Sequence, residues 1–223
     1  MNKYFKEYKD NNEGKNFDEG FYKQLSKMFN IYMKQVKHYI EKDLLFQGDD
    51  EEEKVEVLER IEDYIQKRLN KAIFPELIKE NEDTEFYKMT TLMSTKIKPE
   101  DLGLNELLVH ELGLAISAIQ NIDKGKSVFE KLDYVSSAYG TMNNTFKFSL
   151  GQDKEGGAED MSPIFHYIVI KATPKHYFTN IFYIKSLLPE MNTKGHYGYL
   201  LSQLEFAGDF VKDYYMQNYC NAS

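Results

Sequence analysis

The chain has 223 residues, 42% of them hydrophobic, and a formal net charge of −8. This length can bury one substantial core or two modest ones. Glycine (13) and proline (5) are sparse, which disfavours a turn-rich β-sandwich and a disordered chain. The acidic balance argues against a nucleic-acid binder, because neutralising phosphates requires a basic surface.

Cysteine usage and hydropathy indicate the compartment. The single cysteine, Cys220, excludes an intramolecular disulfide framework. The first twenty residues lack the apolar core of a signal peptide, and no run of about 18 apolar residues occurs. We therefore expect a cytoplasmic protein, in which the sequons at Asn143 and Asn221 carry no meaning.

Two long helices are predicted in the first third. Residues 1–18 are polar and are expected to form a loose arm. Apolar side chains then recur at helical spacing from Phe21 to Ile40, and again from Val55 to Ile73. The acidic run between these segments suits the first turn of the second helix, which is expected to end near Pro75.

The middle of the chain predicts shorter helices and a loop. A short helix is expected over residues 83–96, followed by a turn with some helical character at Pro99 and Gly103. Residues 105–122 and 127–148 both show helical periodicity. Residues 149–160 are rich in glycine and charge and read as a loop.

The last third contains the most apolar segment. Residues 161–174 are apolar on almost every face, which favours a central helix covered by others. Its β-branched residues at 164 and 168–170 would equally suit a strand, but no alternating strands occur elsewhere. Further helices are predicted over residues 178–188 and 197–215. The chain is therefore expected to be all-α, with several helical layers.

Several familiar catalytic patterns are incomplete. Gly125-Lys126-Ser127 resembles the tail of a phosphate-binding loop, but Gln120 stands where that loop needs glycine. None of the five histidines follows a glutamate by three residues, as a di-iron bundle requires. No Gly-x-Ser-x-Gly elbow surrounds any serine. We expect no metal centre, no cofactor and no acyl-transfer site.

The last third resembles a known family. "GGAEDMSPIFHYIVIKATP", "HYFTNIFYIKSLL" and "GYLLSQLEFAGDFV" occur in order and at suitable separations. Together they are similar to the catalytic half of the vacuolar protein sorting nine (Vps-nine) domain. Members of that family are guanine nucleotide exchange factors for endosomal Rab-family GTPases, chiefly of the Rab-five group. A weaker likeness upstream extends the alignment to roughly residues 55–215.

The resemblance implies a domain organisation and a partner. A polar arm (1–18) and a supporting helix or helical bundle (19–54) would precede an exchange domain (55–215) and a tail (216–223). The implied partner is a Rab-family GTPase, preferentially nucleotide-free, with no role for nucleic acid. The resemblance and the absence of a membrane span leave open an indirect recruitment to endosomal membranes.

The family's site residues map onto six positions here. The family's acidic finger lies four positions before a proline; because that proline is Pro163, the finger is Glu159, where aspartate is usual. Asp160 matches a position that is often acidic. Tyr199 matches the family's functional tyrosine. The resemblance therefore implies that one set of residues acts in exchange and a second contacts the partner: Glu159, Asp160 and Tyr199; Pro163, Asn180 and Ser202.

The implied chemistry needs no covalent step. A carboxylate entering the nucleotide pocket would pair with the lysine of the phosphate-binding loop of the GTPase and repel the neighbouring phosphate. Three other interpretations remain open. Acids and a proline in the first turn of a helix are common for purely structural reasons. The fold could also be a scaffold that binds a GTPase without exchange activity, or a helical bundle of unrelated role.

Overall fold

The computed structural model of the protein describes residues 19–42, 50–150, 157–188 and 194–220. All regular structure in these ranges is helical, which confirms the all-α prediction. The segment at 161–174, for which a strand was the alternative, lies within a helix. The predicted polar arm at 1–18 and residues 151–156 of the predicted loop lie outside the described residues. Residues 149–150 and 158–160 of that predicted loop are instead helical.

Nine α-helices occur in the described ranges, with three shorter helical segments between or after them. The α-helices are α1 (Glu19–Lys42), α2 (Glu51–Leu77), α3 (Glu80–Lys96), α4 (Glu106–His110), α5 (Gly113–Gln120), α6 (Val128–Leu150), α7 (Ala158–Ala172), α8 (Tyr177–Leu187) and α9 (His196–Tyr215). Two 3-10 helices span Pro99–Leu102 and Ile122–Lys124, and a π-helix, Met216–Cys220, continues α9.

Helix α2 begins where its acidic run predicts. The Asp50 carboxylate accepts the Glu53 amide at 2.8 Å, and the Glu53 carboxylate accepts the Asp50 amide at 3.3 Å. This reciprocal capping satisfies two backbone donors that the helix leaves unpaired. The helix passes through Pro75 and ends at Leu77. The predicted domain boundary between residues 54 and 55 falls in its first turns.

The periodic segment 105–122 forms two α-helices rather than one. A turn at Glu111 and Leu112 separates α4 from α5, and Asn105 caps α4 by accepting the Leu107 amide at 2.9 Å. The turn buries Leu112 completely, so the apolar spacing continues across the break. Periodicity alone cannot detect such a break, because it records which side chains are buried and not the backbone path.

Helix α7 lies at the centre of the fold. It packs against α3, α5, α6 and α9. Helix α1 packs on α2 and α8 and joins the same hydrophobic cluster. None of the described helices is both long enough and apolar enough to cross a lipid bilayer. The residues of α7 that are no more than 1% exposed are Ile164, Phe165, Ile168, Val169, Ile170 and Ala172.

Candidate functional site

Two neighbouring acids at the start of α7 have different surroundings. Gly157, in an extended conformation, precedes the helix, and its amide donates to Asp160 Oδ2 at 3.0 Å. Asp160 therefore stabilises the helix start. Glu159 is exposed and forms no hydrogen bond or ion pair with any residue that the structure describes. Its carboxylate is available to a partner.

Glu159 lines a surface groove of about 670 Å³ between the first 3-10 helix, α7 and the end of α9. Two carboxylates, those of Asp101 and Glu159, occur among side chains that are mainly apolar or aromatic. Such a mixture suits a partner that presents a cation beside apolar surface. The lining residues are Asp101, Leu102, Glu159, Ser162, Pro163, His166, Phe210 and Tyr214.

A stacked aromatic pair connects the two helices of this groove. The rings of His166 on α7 and Phe210 on α9 lie 4.0 Å apart between centroids, at an interplanar angle of 13°. Burial lowers the pKa of His166 to about 4, so its ring is neutral at pH 7. The ring of Phe210 also contacts that of Tyr214, with centroids 5.6 Å apart. This side of the groove is therefore aromatic and uncharged.

Tyr199 lies near the start of α9 and is 48% exposed. Its ring meets that of Tyr139 on α6 edge-on, with centroids 5.9 Å apart. Tyr139 in turn packs on Phe165 of α7 at 4.7 Å and donates its hydroxyl to Gln203 Oε1 at 2.8 Å. Burial, and then the neighbouring Tyr199, raise the pKa of Tyr139. Tyr199 is thus supported on one side and open on the other.

Helix α9 presents an aromatic stripe, which we define as Tyr199, Phe206 and Phe210. The spacings of seven and four residues place these side chains on one helical face over about 16 Å. Phe206 is 63% exposed, and Phe210 contacts α7 through His166. Glu159 and Tyr199 therefore belong to one α7–α9 surface, near its opposite ends, without direct contact between their side chains.

Pro163 and Ser202 are both half-buried at this surface. Pro163 lines the groove beside Glu159. Ser202 lies one turn after Tyr199, and its hydroxyl donates to the Gly198 carbonyl at 3.0 Å. That bond lies within the helix and uses only the hydroxyl proton, so the Ser202 oxygen can still accept a hydrogen bond from a partner.

Asn180, in contrast, is fully buried. Its Oδ1 accepts from Lys131 Nζ at 2.7 Å, and its Nδ2 donates to Asp123 Oδ1 at 2.6 Å and to the His176 carbonyl at 2.7 Å. Lys131 is itself buried, which lowers its pKa to about 8. The structure therefore places Asn180 inside the protein rather than at the predicted partner surface, because a buried ammonium group needs an acceptor.

Several residues of this surface are absent from the sequence-based prediction. Phe206 and Phe210 carry a usable signal, since they repeat the helical position of Tyr199. Asp101 and His166 carry none, because only the packing of the first 3-10 helix and of α9 against α7 brings them beside Glu159.

Comparisons with known proteins relate a large part of the chain to a described family. Residues 112–216, which contain every predicted site residue, match the family profile described as the vacuolar sorting protein 9 (VPS9) domain. The chain is 25% identical over 171 residues to the vacuolar protein sorting-associated protein 9A of Oryza sativa subsp. japonica. It is also 25% identical over 174 residues to the protein of that name from Arabidopsis thaliana.

These alignments cover 74% and 76% of this chain, but 35% and 34% of the two relatives. The chain therefore spans about a third of the length of these curated relatives. A shorter alignment, 29% identical over 98 residues, joins 44% of this chain to 10% of the human ALS2 C-terminal-like protein. With the all-helical fold, the family match leads to one conclusion: residues 112–216 of the chain carry a VPS9 domain.

Proposed function

We propose that the chain is a guanine nucleotide exchange factor for a Rab-family small GTPase of the endosomal Rab-five group. In this proposal Glu159 enters the phosphate site of the GTPase. The observation that carries it is an exposed glutamate with no hydrogen-bond or ion-pair partner among the described residues, at one end of a surface that ends in Tyr199. The VPS9 domain match covers the α7 and α9 residues of this surface and supports the assignment.

Exchange requires that the factor bind the nucleotide-free GTPase better than the nucleotide-bound one. Bound nucleotide is held mainly through its phosphates, by a magnesium ion and a loop lysine of the GTPase. The Glu159 carboxylate would pair with that lysine and disfavour the β-phosphate by like-charge repulsion. A charge-assisted contact of this kind is worth about 1.5–3 kcal/mol. That corresponds to roughly tenfold to a hundredfold in release rate.

The aromatic stripe would supply the affinity. Tyr199 and Phe206 are exposed, and rigid aromatic side chains contribute much of the binding energy at protein interfaces. Ser202, one turn after Tyr199, and Pro163, beside Glu159 in the groove, would complete the contact. Asn180 acts in this proposal only through the internal network that holds α6 and α8 together.

The test is the release of a fluorescent GDP analogue from a panel of endosomal Rabs. We expect Glu159→Ala to lower the exchange rate at least tenfold and to leave the free energy of unfolding unchanged. Glu80→Ala is a matched control, because Glu80 is also an exposed acid in the first turn of a helix. Wild-type protein that accelerates release from none of the Rabs would contradict the proposal.

Two further variants test which of the two neighbouring acids acts in exchange and whether the length of its side chain matters. Asp160→Ala should weaken the helix start by about 0.5–1 kcal/mol, because it removes the acceptor for the Gly157 amide, while retaining most exchange activity. If Asp160→Ala abolishes exchange and Glu159→Ala does not, the finger is the other acid. Glu159→Asp should keep the activity, since the position is exposed and one methylene alters only the reach.

A binding measurement distinguishes exchange from simple attachment. Equal affinity for the GDP-bound and the nucleotide-free GTPase would indicate a scaffold, because a factor without differential affinity cannot shift nucleotide binding. The proposal requires a clear preference for the nucleotide-free form.

A further inference from the structure

One buried tyrosine connects the helix that carries Tyr199 to the rest of the fold. The Tyr177 side chain, 1% exposed, lies at the start of α8. Its hydroxyl donates to the Leu204 carbonyl of α9 at 2.7 Å. Its ring stacks on Phe86 of α3, with centroids 4.5 Å apart and an interplanar angle of 10°. A single side chain thus joins α3, α8 and α9.

Gly208 allows α9 to approach Tyr177 closely. A Cβ atom at this position would lie 3.0 Å from Tyr177 Cε1 and 3.2 Å from Phe178 Cε1. Gly208 follows Leu204 by four residues, so its amide pairs with the same carbonyl that the Tyr177 hydroxyl reaches. The Tyr177 hydrogen bond and the close approach at Gly208 therefore fix the same turn of α9 against α8.

The start of α8 is itself anchored to α3. Asp83, a buried residue of α3, accepts the Phe178 amide at 2.8 Å and the Thr179 amide at 3.3 Å through Oδ1. These are backbone donors that the first turn of α8 would otherwise leave unpaired. The hydrogen bonds to Asp83 therefore fix the start of α8, which carries Tyr177, relative to α3.

This contact lies on the face of α9 opposite the exposed aromatic stripe. Leu204 and Gly208 each lie two residues from Phe206, which rotates them by about 200° around the helix. We infer that Tyr177 is a positioning residue: through the Leu204 carbonyl it sets how α9 presents Tyr199 and Phe206 to the partner. The inference rests on the proposed exchange function, in which a small displacement of contact residues costs activity.

Two matched variants test the inference. Tyr177→Phe keeps the stacked ring and removes only the hydroxyl that reaches α9. Tyr183→Phe removes a hydroxyl from a second buried tyrosine of α8, which bonds to the Lys126 carbonyl at 3.1 Å and the Gln66 carbonyl at 3.4 Å, outside α9. We expect similar losses of stability in the two variants, since each loses one buried hydroxyl donor.

Their exchange activities should differ. We expect Tyr177→Phe to lower the catalytic efficiency of nucleotide exchange by about three- to tenfold, and Tyr183→Phe to change it less than twofold. Amide hydrogen exchange in α9 should accelerate in Tyr177→Phe only. Equal activities of the two variants, together with equal protection of α9, would overturn the inference.

Substitutions at two glycines provide a second test of the inference that leaves both tyrosines unchanged. Gly208→Ala should force α8 and α9 apart by a few tenths of an ångström and lower exchange. Gly140→Ala, on α6, meets no atom within 4 Å and should leave exchange unchanged. Gly208→Ala that is as active as Gly140→Ala would contradict the inference. If wild-type protein itself fails to accelerate release, the proposed function fails, whereas protection of α9 still decides the positioning role.

Discussion

At the scale of single residues, burial separates glutamates that the sequence alone cannot distinguish. Glu159 is exposed at the start of α7, whereas Glu62 is 4% exposed within α2. Within the described part of the chain, Glu62 Oε1 has no hydrogen-bond partner. Burial, and secondarily the charge of Glu59, raise the pKa of Glu62 to about 8. A buried carboxyl group favours its neutral form, because burial disfavours the charge.

This raised pKa makes stability depend on pH. An unfolded glutamate loses its proton near pH 4.5, while the folded protein keeps the Glu62 proton until about pH 8. Between these values the folded state binds more protons, so the free energy of unfolding falls as the pH rises. We predict that Glu62→Gln removes this decrease and stabilises the protein at pH 8 by about 1–3 kcal/mol.

Urea unfolding at pH 5 and pH 8 measures this effect. Glu85→Gln is the control, since Glu85 is an exposed glutamate within a helix, α3, and does not contribute to the pKa of Glu62. A Glu62→Gln variant whose stability falls with pH as steeply as that of the wild type would show that another group causes the dependence.

At the scale of elements, the two ends of α7 differ in how well they are stabilised: a side chain caps the start, whereas the residue that ends the helix has a disfavoured backbone conformation. The start is capped by Asp160 through the Gly157 amide, as described above. The end is Thr173, whose φ of 45° and ψ of 56° lie in the left-handed region. A β-branched residue is disfavoured there because its Cβ crowds the backbone. The central helix of the fold therefore terminates in a strained residue.

Thr173→Asn should relieve part of that strain, since asparagine tolerates the left-handed region better. We predict an increase of about 0.5–1 kcal/mol in the free energy of unfolding. Thr91→Asn is the matched control, because Thr91 is exposed within α3 and the two residue types have similar helix propensities. Chemical denaturation followed by circular dichroism measures both. Equal stabilities of the two variants would argue that Thr173 is not strained.

At the scale of the whole molecule, α1 belongs to the same core as the VPS9 domain. Leu25, Phe29 and Met33 of α1 are buried and join the hydrophobic cluster that includes α7 and α9. Since α1 packs on α2 and α8, it braces the scaffold that carries the site. We therefore expect the described part of the chain to unfold as one cooperative unit.

Phe29→Ala tests this expectation. Removing a large side chain that is 1% exposed should cost about 3–5 kcal/mol and shift a single unfolding transition. Ile31→Ala, at a position of the same helix that is 49% exposed, should change stability little. Two separate transitions, with Phe29→Ala affecting only one, would show that α1 is an independent unit.

The sequence by itself determined the helical architecture and the position of the acid that we propose as the finger. Apolar periodicity records which face of a helix is buried, and the acids before α2 mark its start, because both effects act within a few residues of chain. The same local information places Glu159 and Asp160 before Pro163 and Tyr199 one turn before Ser202. It does not show that the helical periodicity at 105–122 is interrupted by a turn.

Only the tertiary structure decided which of these residues are exposed to solvent and which side chains lie beside them. It leaves Glu159 exposed and buries Asn180 against Lys131. It also brings together His166 and Phe210, which are 44 positions apart in the sequence. It also connects Tyr177 to the Leu204 carbonyl. These relations depend on packing between distant segments, where burial sets the cost of each polar group and proximity sets its partners.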